Sequence, residues 1–110
     1  MVNPIRVVIN DTLVYTFLLE GKNRIDGQVK LEVYNKCSFV HPKLFHVTPS
    51  SVRHIQKLFT EVAAFAKDKF YFDKINAVTK NEKFVMMVTK QKASKVAEHE
   101  GEVLYEYLMS

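Results

Sequence analysis

The stretch HPKLFHVTPSSVRHIQKLFTEVAAFAKDKF, residues 41–70, brings titratable side chains next to the start of a helix. A short apolar segment ends at Thr48, which predicts an N-cap, and Pro49 predicts the first helical residue. The first N–H groups of a helix have no partner within it, and the helix dipole favours an anion there. Such a junction is a common phosphate-binding place in α/β proteins. This junction is therefore a candidate ligand-binding site.

The other reactive side chains favour structural roles. His41, His46 and His54 fall within one short stretch, but strand and helix spacing does not bring them together clearly, so no metal site is expected. Cys37 is the single cysteine, which excludes an intrachain disulfide, and we predict it to be a small buried hydrophobe. A Ser-His-Asp order, a Walker loop and a dinucleotide fingerprint are all absent from the sequence.

Composition predicts one globular domain over residues 1–110, with 47% hydrophobic and 25% charged residues. The N-terminal residues do not resemble a signal peptide, no apolar run approaches the length of a membrane span, and we expect a cytoplasmic location. The net charge of +4 comes mostly from lysine, which favours a solvated surface. Binding of nucleic acid through these lysines is an alternative, not the favoured one, because arginine and aromatic residues are not concentrated on one face.

Hydrophobic periodicity predicts an α+β protein, a mixed sheet with two helices packed on it in the order β-β-β-β-α-β-α-β. Strands are predicted over residues 5–9, 12–19, 28–34, 44–47, 74–79 and 102–108. Residues 37–40 continue the third strand past a bulge, and Pro42 ends that piece. The helices are predicted over residues 49–69 and 82–93, with Asn81 as the cap of the second.

This order and spacing resemble the GNAT superfamily of N-acetyltransferases, in a reduced form found among small bacteriophage-type proteins. The resemblance begins at LFHVTPSS, where a strand feeds a long helix. It continues through the strand KINAVT and Asn81, which opens a short helix, to a turn rich in Glu and Gly and a closing strand. The hairpin of residues 12–34 matches the two strands before this core. The resemblance implies the GNAT fold for most of the chain.

The resemblance also implies a cofactor site that can be checked against the sequence. Members of the superfamily cradle the pyrophosphate of acetyl-CoA on backbone N–H groups of a glycine-rich turn before the long helix. This chain has no glycine there, and Pro49 removes one N–H donor. If acetyl-CoA binds, the resemblance assigns Ser50, Ser51, Arg53 and Asn81 to it.

Two catalytic groups of the superfamily are missing at the matching positions. The glutamate on the strand before the long helix is absent, which leaves His46 as the candidate base, and residues 84–92 contain no tyrosine to act as an acid. The resemblance therefore implies a degenerate acetyltransferase-like protein, a phage-type scaffold or protein-interaction module that binds a phage or host protein without a cofactor. If it is phage-encoded, we expect it in the host cytoplasm or in the virion. The alternative is an active small N-acyltransferase that uses acetyl-CoA. The expected contact surfaces are the sheet edges and the cleft between the strands that flank the long helix.

Overall fold

A computed structural model describes residues 3–109 as one mixed sheet with two helices on one of its faces. The elements are β1 (Ile5–Ile9), β2 (Thr12–Glu20), β3 (Ile25–Tyr34), β4 (Cys37–Leu44), α1 (Pro49–Phe70), β5 (Lys74–Thr79), α2 (Glu82–Val88), β6 (Ser94–His99) and β7 (Glu102–Leu108). The strand order across the sheet is β1-β2-β3-β4-β5-β7-β6. All neighbours are antiparallel except β4 and β5, which are parallel. The predicted α+β class with two packed helices is confirmed.

Two of the three connections within the β1–β4 meander are two-residue turns. Asn10 and Asp11 join β1 to β2 with φ of 48° and 64°, and Asn35 and Lys36 join β3 to β4 with φ of 49° and 65°. Two central residues with positive φ match the twist of a two-residue hairpin, and asparagine tolerates that conformation better than most residues. These turns fix the register of the β1–β2 and β3–β4 pairs.

Helix α1 covers the sheet with the apolar stripe that its sequence predicts. Its buried apolar residues recur at helical spacing: Ile55, Leu58, Phe59, Val62, Ala63 and Ala66. The stripe lies over the face of the sheet that carries Tyr15 and Phe17, and Phe65 contacts both rings edge-on at centroid distances of 5.0 and 5.2 Å. Neither described helix is both long and apolar enough to cross a membrane.

The prediction that Pro42 ends one strand and that residues 44–47 form another is wrong. β4 runs through Pro42, which lies opposite Val29 of β3, and it ends at Leu44. β4 is paired with β5 only near Phe39 in the described part of the chain, so its other edge is unpaired at Pro42. A proline is tolerated at such an edge, because no ladder bond requires its N–H.

The second helix and the segment after it also differ from prediction. α2 ends at Val88 because Lys90 and Gln91 have left-handed φ values of 54° and 63°, which a helix cannot contain. β6 was not predicted, because all six of its residues are exposed and show no burial pattern. Cys37 is exposed beside a hairpin turn, so its predicted burial is also wrong.

Candidate functional site

The two parallel strands β4 and β5 form a fork. They pair at Phe39 and Asn76 and then diverge toward their C-terminal ends. Side chains hold the closed end: the Asn76 amide donates to the Ser38 carbonyl at 3.1 Å, and the Ser38 hydroxyl donates to the Lys74 carbonyl at 3.2 Å. The fork opens where α1 and α2 begin, which is the cleft that the sequence predicted between the strands flanking the long helix.

Side chains of the protein itself fill this fork. The space between the strands and the two helices is a cavity of about 10 Å³. Its lining is almost entirely apolar or aromatic: Val40, Pro42, Phe59, Ile75, Ala77, Val85, Val88, Thr89, Ala93, Tyr105 and Tyr107. A cavity of this size holds at most one water, and an apolar lining gives that water no partners. The fork is therefore part of the core.

Two contacts hold the elements around the fork together. The side-chain amide of Gln56 on α1 donates to the carbonyl of Met87 near the end of α2 at 2.9 Å. The rings of Phe59 on α1 and Tyr107 on β7 meet edge-on, with centroids 4.8 Å apart and planes at 85°. Aromatic pairs in this arrangement contribute about 0.5–1.5 kcal/mol beyond the area they bury. A ligand that separated α1 from α2 would break the first contact.

The start of α1 uses its own polar groups to cap itself. The Thr48 hydroxyl accepts from the Ser51 N–H at 3.0 Å, and the Ser51 hydroxyl accepts from the Thr48 N–H at 2.8 Å. The same Ser51 hydroxyl donates to the carbonyl of His46 at 2.8 Å, and Ser51 is 1% exposed. Pro49 has no N–H to offer. Within the described chain, the Ser50 N–H is the donor of this turn without a partner.

The four predicted cofactor residues therefore have different surroundings. Ser50 and Arg53 are exposed, whereas Ser51 is buried in the cap. Ser50 borders an open depression with His54 and Arg24 of the β2–β3 loop, but Arg24 is already paired with Asp26 at 3.0 Å. Their contact with a cofactor stays a prediction.

Asn81 caps α2 and does not line that depression. Its side-chain oxygen accepts from the Phe84 N–H at 3.1 Å, and its own N–H donates to the Thr79 hydroxyl at 2.8 Å. The predicted role as a helix cap is confirmed. The carbonyl oxygen of the side chain is thereby engaged within the protein, and the residue is exposed.

His46, the candidate base, lies in the loop between β4 and α1 and is half-buried. Its backbone is held at both ends, since its N–H donates to the Asp26 carbonyl at 3.2 Å and its carbonyl accepts from Ser51. The other two histidines lie elsewhere: His41 contacts Glu32 at 3.2 Å across the sheet, and His54 is exposed on α1. Among residues 3–109, no three His, Cys, Asp or Glu side chains converge as a ligand set.

The structure also shows a polar pair that the sequence analysis did not assign. The Tyr105 hydroxyl donates to the Glu82 carboxylate at 2.7 Å, and Lys95 lies 3.9 Å from the same carboxylate oxygen. The hydrogen bond to Glu82, followed by burial, raises the pKa of Tyr105 above its ordinary value. No local spacing could have revealed this pair, because β7 and α2 come together only through the sheet.

The architecture is similar to that of solved N-acetyltransferases. One is PseH from Campylobacter jejuni in complex with acetyl coenzyme A, with a TM-score of 0.66 and 13% identity, over 88% of this chain and 69% of that one. A second is a variant of the spermidine N-acetyltransferase SpeG from Vibrio cholerae, with a TM-score of 0.62 and 14% identity, over 86% and 65% of the two chains. An N-acetyltransferase from Staphylococcus aureus Mu50 has a TM-score of 0.62 and 10% identity, over 92% and 70%.

These likenesses establish that the chain has the GNAT acetyltransferase fold. No family model matches the sequence, and no curated protein matches it. At 10–14% identity the similarity to these solved structures shows the fold alone. The activity must therefore be argued from the site.

Proposed function

We propose that this chain is a GNAT-fold protein that has lost efficient acyl transfer and acts by binding another protein. The observation that carries the proposal is the filled fork between β4 and β5. Apolar side chains from both strands, both helices and β7 leave about 10 Å³ there. A thioester ligand needs a channel of its own between the helices, and the Gln56–Met87 bond crosses the gap between α1 and α2.

The start of α1 supports the same conclusion. A pyrophosphate held at a helix N-terminus needs several N–H groups free to point at it. Here Pro49 has none, and the Thr48 and Ser51 N–H groups are bonded to each other's side chains. Releasing them would cost the capping box, which typically stabilises a helix by about 1 kcal/mol. The residues present therefore do not fit acetyl-CoA in this arrangement.

A protein is the favoured partner because apolar side chains are exposed along one sheet edge. Ile5, Val8 and Ile9 are all more than half exposed. The charges on the open sheet face do not favour nucleic acid, since Lys74 is paired with Glu106 and Glu32 with His41. A phage or host source for the partner stays a prediction from the resemblance.

The alternative, an active small N-acyltransferase, is supported by one specific observation. Tyr105 lines the fork, and its hydroxyl is bonded to a carboxylate, so a proton donor stands near the place where the superfamily carries out its chemistry. In that case His46 is the candidate base, and Ser50, Ser51, Arg53 and Asn81 are the candidate cofactor contacts.

Thermal unfolding with acetyl-CoA separates the two functions. A ligand at a hundred times its Kd stabilises a protein by about 2.7 kcal/mol, which raises the Tm of a domain of this size by roughly 10 °C. We expect no shift at about 1 mM acetyl-CoA, a concentration at which an enzyme with a Kd near 10 μM would respond fully. PseH is the positive control. A shift of that size together with release of free thiol in the presence of amines would support the enzyme and contradict the proposal.

A further inference from the structure

The segment around α2 carries most of the net positive charge of the chain. Residues 80–92, KNEKFVMMVTKQK, contain four lysines and one glutamate, a formal charge of +3, against +4 for all 110 residues. That glutamate is already engaged, since the Glu82 carboxylate accepts from the Tyr105 hydroxyl at 2.7 Å and lies 3.9 Å from Lys95. The excess positive charge is therefore available to attract a partner.

Three of these lysines surround the outward side of α2. Lys83 is exposed on the helix, whereas Val85 and Val88 are buried against the sheet. Lys90 and Lys92 lie in the turn that follows the helix, and both are exposed. In the part of the chain that the structure describes, none of these three lysines has a carboxylate within ion-pair distance.

Lys80, the fourth lysine, does not belong to this surface. Thr79 pairs with Val103 of β7, so Lys80 comes next to the β6–β7 turn, where Glu100 and Glu102 are exposed. Nearby carboxylates offset its charge even without a direct ion pair.

Two methionines lie between the three lysines. Met86 and Met87 follow Lys83 by three and four residues, so they are its neighbours on the helix surface, and both are partly exposed. The turn after α2 is held against the end of the helix, because the Lys90 N–H donates to the Met87 carbonyl at 3.1 Å. We call Lys83, Met86, Met87, Lys90 and Lys92 the basic α2 surface.

We propose that the basic α2 surface binds an acidic segment of a partner protein in which apolar side chains alternate with acids, an inference that rests on the protein-binding function proposed above. Three unpaired lysines favour negative charge, and electrostatic complementarity of this kind sets partner choice and association rate. Methionine is flexible and polarisable, so it adapts to the apolar side chains of a partner. An apolar centre inside a polar rim is the usual anatomy of a protein interface.

The composition of the surface favours a protein over a nucleic acid. Residues 80–92 contain no arginine, the residue that makes the commonest specific contacts with bases. Their one aromatic ring, Phe84, is partly buried against the core, whereas single-stranded nucleic acid is bound by rings on which its bases stack. Nucleic acid is therefore the contrary outcome of the test.

Fluorescence anisotropy of labelled probes with the full chain tests the chemistry of the surface. The probes are a peptide of repeated Glu-Glu-Leu, a glutamate-only peptide of the same charge, and a single-stranded oligothymidylate of the same charge. We expect the first peptide to bind with a Kd of about 10–100 μM at about 50 mM salt, and about fivefold or more weakly at about 300 mM salt. The glutamate-only peptide should bind more weakly, because it leaves the methionines uncovered. Equal binding of the two peptides, or tighter binding of the oligonucleotide, would overturn the proposal.

A charge reversal with a matched control locates the binding surface. Lys83→Glu combined with Lys90→Glu should weaken binding of the Glu-Glu-Leu peptide by about tenfold or more. The first change places an acid in the first turn of α2, which the helix dipole favours, so we expect the variant to fold. Lys22→Glu combined with Lys36→Glu makes the same change in net charge in the β2–β3 and β3–β4 connections, and Lys36 matches Lys90 in its left-handed φ. This control should stay within about twofold of the wild type, and equal weakening by both pairs would overturn the proposal.

Acetyl-CoA assays on the same preparation separate this inference from the proposed function. If no peptide binds to a chain that also gives no response to acetyl-CoA, the basic α2 surface is overturned and the proposed loss of acyl transfer stands. If the chain releases thiol from acetyl-CoA and the Lys83→Glu/Lys90→Glu variant still loses peptide binding, the surface is supported and the loss of acyl transfer is contradicted.

Discussion

The side-chain amide of Gln56 and the carbonyl of Met87 are bonded at 2.9 Å across the gap between α1 and α2. The two residues come from helices that no local sequence pattern connects. Their bond ties together the two helices that border the fork. Together with the apolar filling of the fork, it distinguishes a packed core from a cofactor channel.

Loss of this bond should weaken the attachment of α2. We expect Gln56→Ala to lower the free energy of unfolding by about 1 kcal/mol, the net value of one hydrogen bond. Denaturant unfolding monitored by circular dichroism measures it. Lys57→Ala, a truncation at the next and exposed position of α1, is the control and should stay within about 0.5 kcal/mol of the wild type. Equal stabilities of the two variants would show that the bond is not maintained in solution.

The capping box gives a second stability prediction with a control in the adjacent residue. Ser51→Ala removes a buried hydroxyl that serves the Thr48 N–H and the His46 carbonyl, so we expect a loss of about 1–2 kcal/mol. Ser50→Ala changes an exposed hydroxyl and should cost less than about 0.5 kcal/mol. Thermal or denaturant unfolding compares them. A larger loss at Ser50 than at Ser51 would contradict the assignment of these donors.

The C-terminal end of α1 should be improved by a single substitution. Tyr71 is the C-cap with φ of 61° and ψ of 28°, and the residue is 88% exposed, so it strains the backbone and packs little. Glycine adopts this left-handed conformation without the strain, and we expect Tyr71→Gly to raise the free energy of unfolding by about 0.5–1 kcal/mol. Lys69→Gly, in the last helical turn, should instead lower it by about 1 kcal/mol. A loss of stability from both would refute the strain at Tyr71.

Tyr105 predicts how stability changes at alkaline pH. Its pKa is raised by the hydrogen bond to Glu82 and then by burial, so the folded state holds this proton more tightly than the unfolded state. The resulting stability is fully present below the ordinary tyrosine pKa of about 10 and is lost as the pH rises through the folded pKa. The hydrogen bond to Glu106 likewise raises the pKa of Lys74, whose contribution is lost in the same direction.

Unfolding temperatures between about pH 8 and pH 11 test this sign. Tyr105→Phe should reduce the alkaline decline of Tm without abolishing it, because Lys74 continues to contribute. Tyr34→Phe, at an exposed tyrosine, should leave the decline unchanged. A decline that is as steep in Tyr105→Phe as in the wild type would contradict the role of the Tyr105–Glu82 pair.

Periodicity and capping signals predicted the parts of the fold that depend on neighbours in the sequence. Helix α1 was predictable because Thr48 and Pro49 mark its start and its apolar stripe keeps one period for its whole length. β6 was not, because an exposed edge strand depends on its pairing with β7 and shows no burial pattern. Pro42 was misinterpreted because its tolerance in β4 depends on the divergence from β5, a feature of the assembled sheet.

The sequence predicted where the candidate site lies, but not that its fork is filled and two of its backbone donors are engaged. The position of the fork followed from the strand order that the chain shares with the GNAT fold. Ser51 is bonded within the helix cap, and Gln56 is bonded to Met87. Composition and spacing do not specify such contacts between side chains and backbone. The Tyr105–Glu82 pair is another contact of this kind.

Titration of the ¹⁵N-labelled chain with acetyl-CoA, followed by amide chemical shifts, tests the central claim most directly. Amides of α1 residues 50–52, of β5 and of α2 surround the fork and the helix start, so they would report any ligand there. We predict no saturable change at these amides up to about 1 mM acetyl-CoA, because the fork is filled and the Thr48 and Ser51 N–H groups are engaged in the cap. Saturable shifts at Ser50 and Asn81, with loss of the Gln56 side-chain signal in its bonded position, would show that the fork opens to hold the cofactor and would contradict the account.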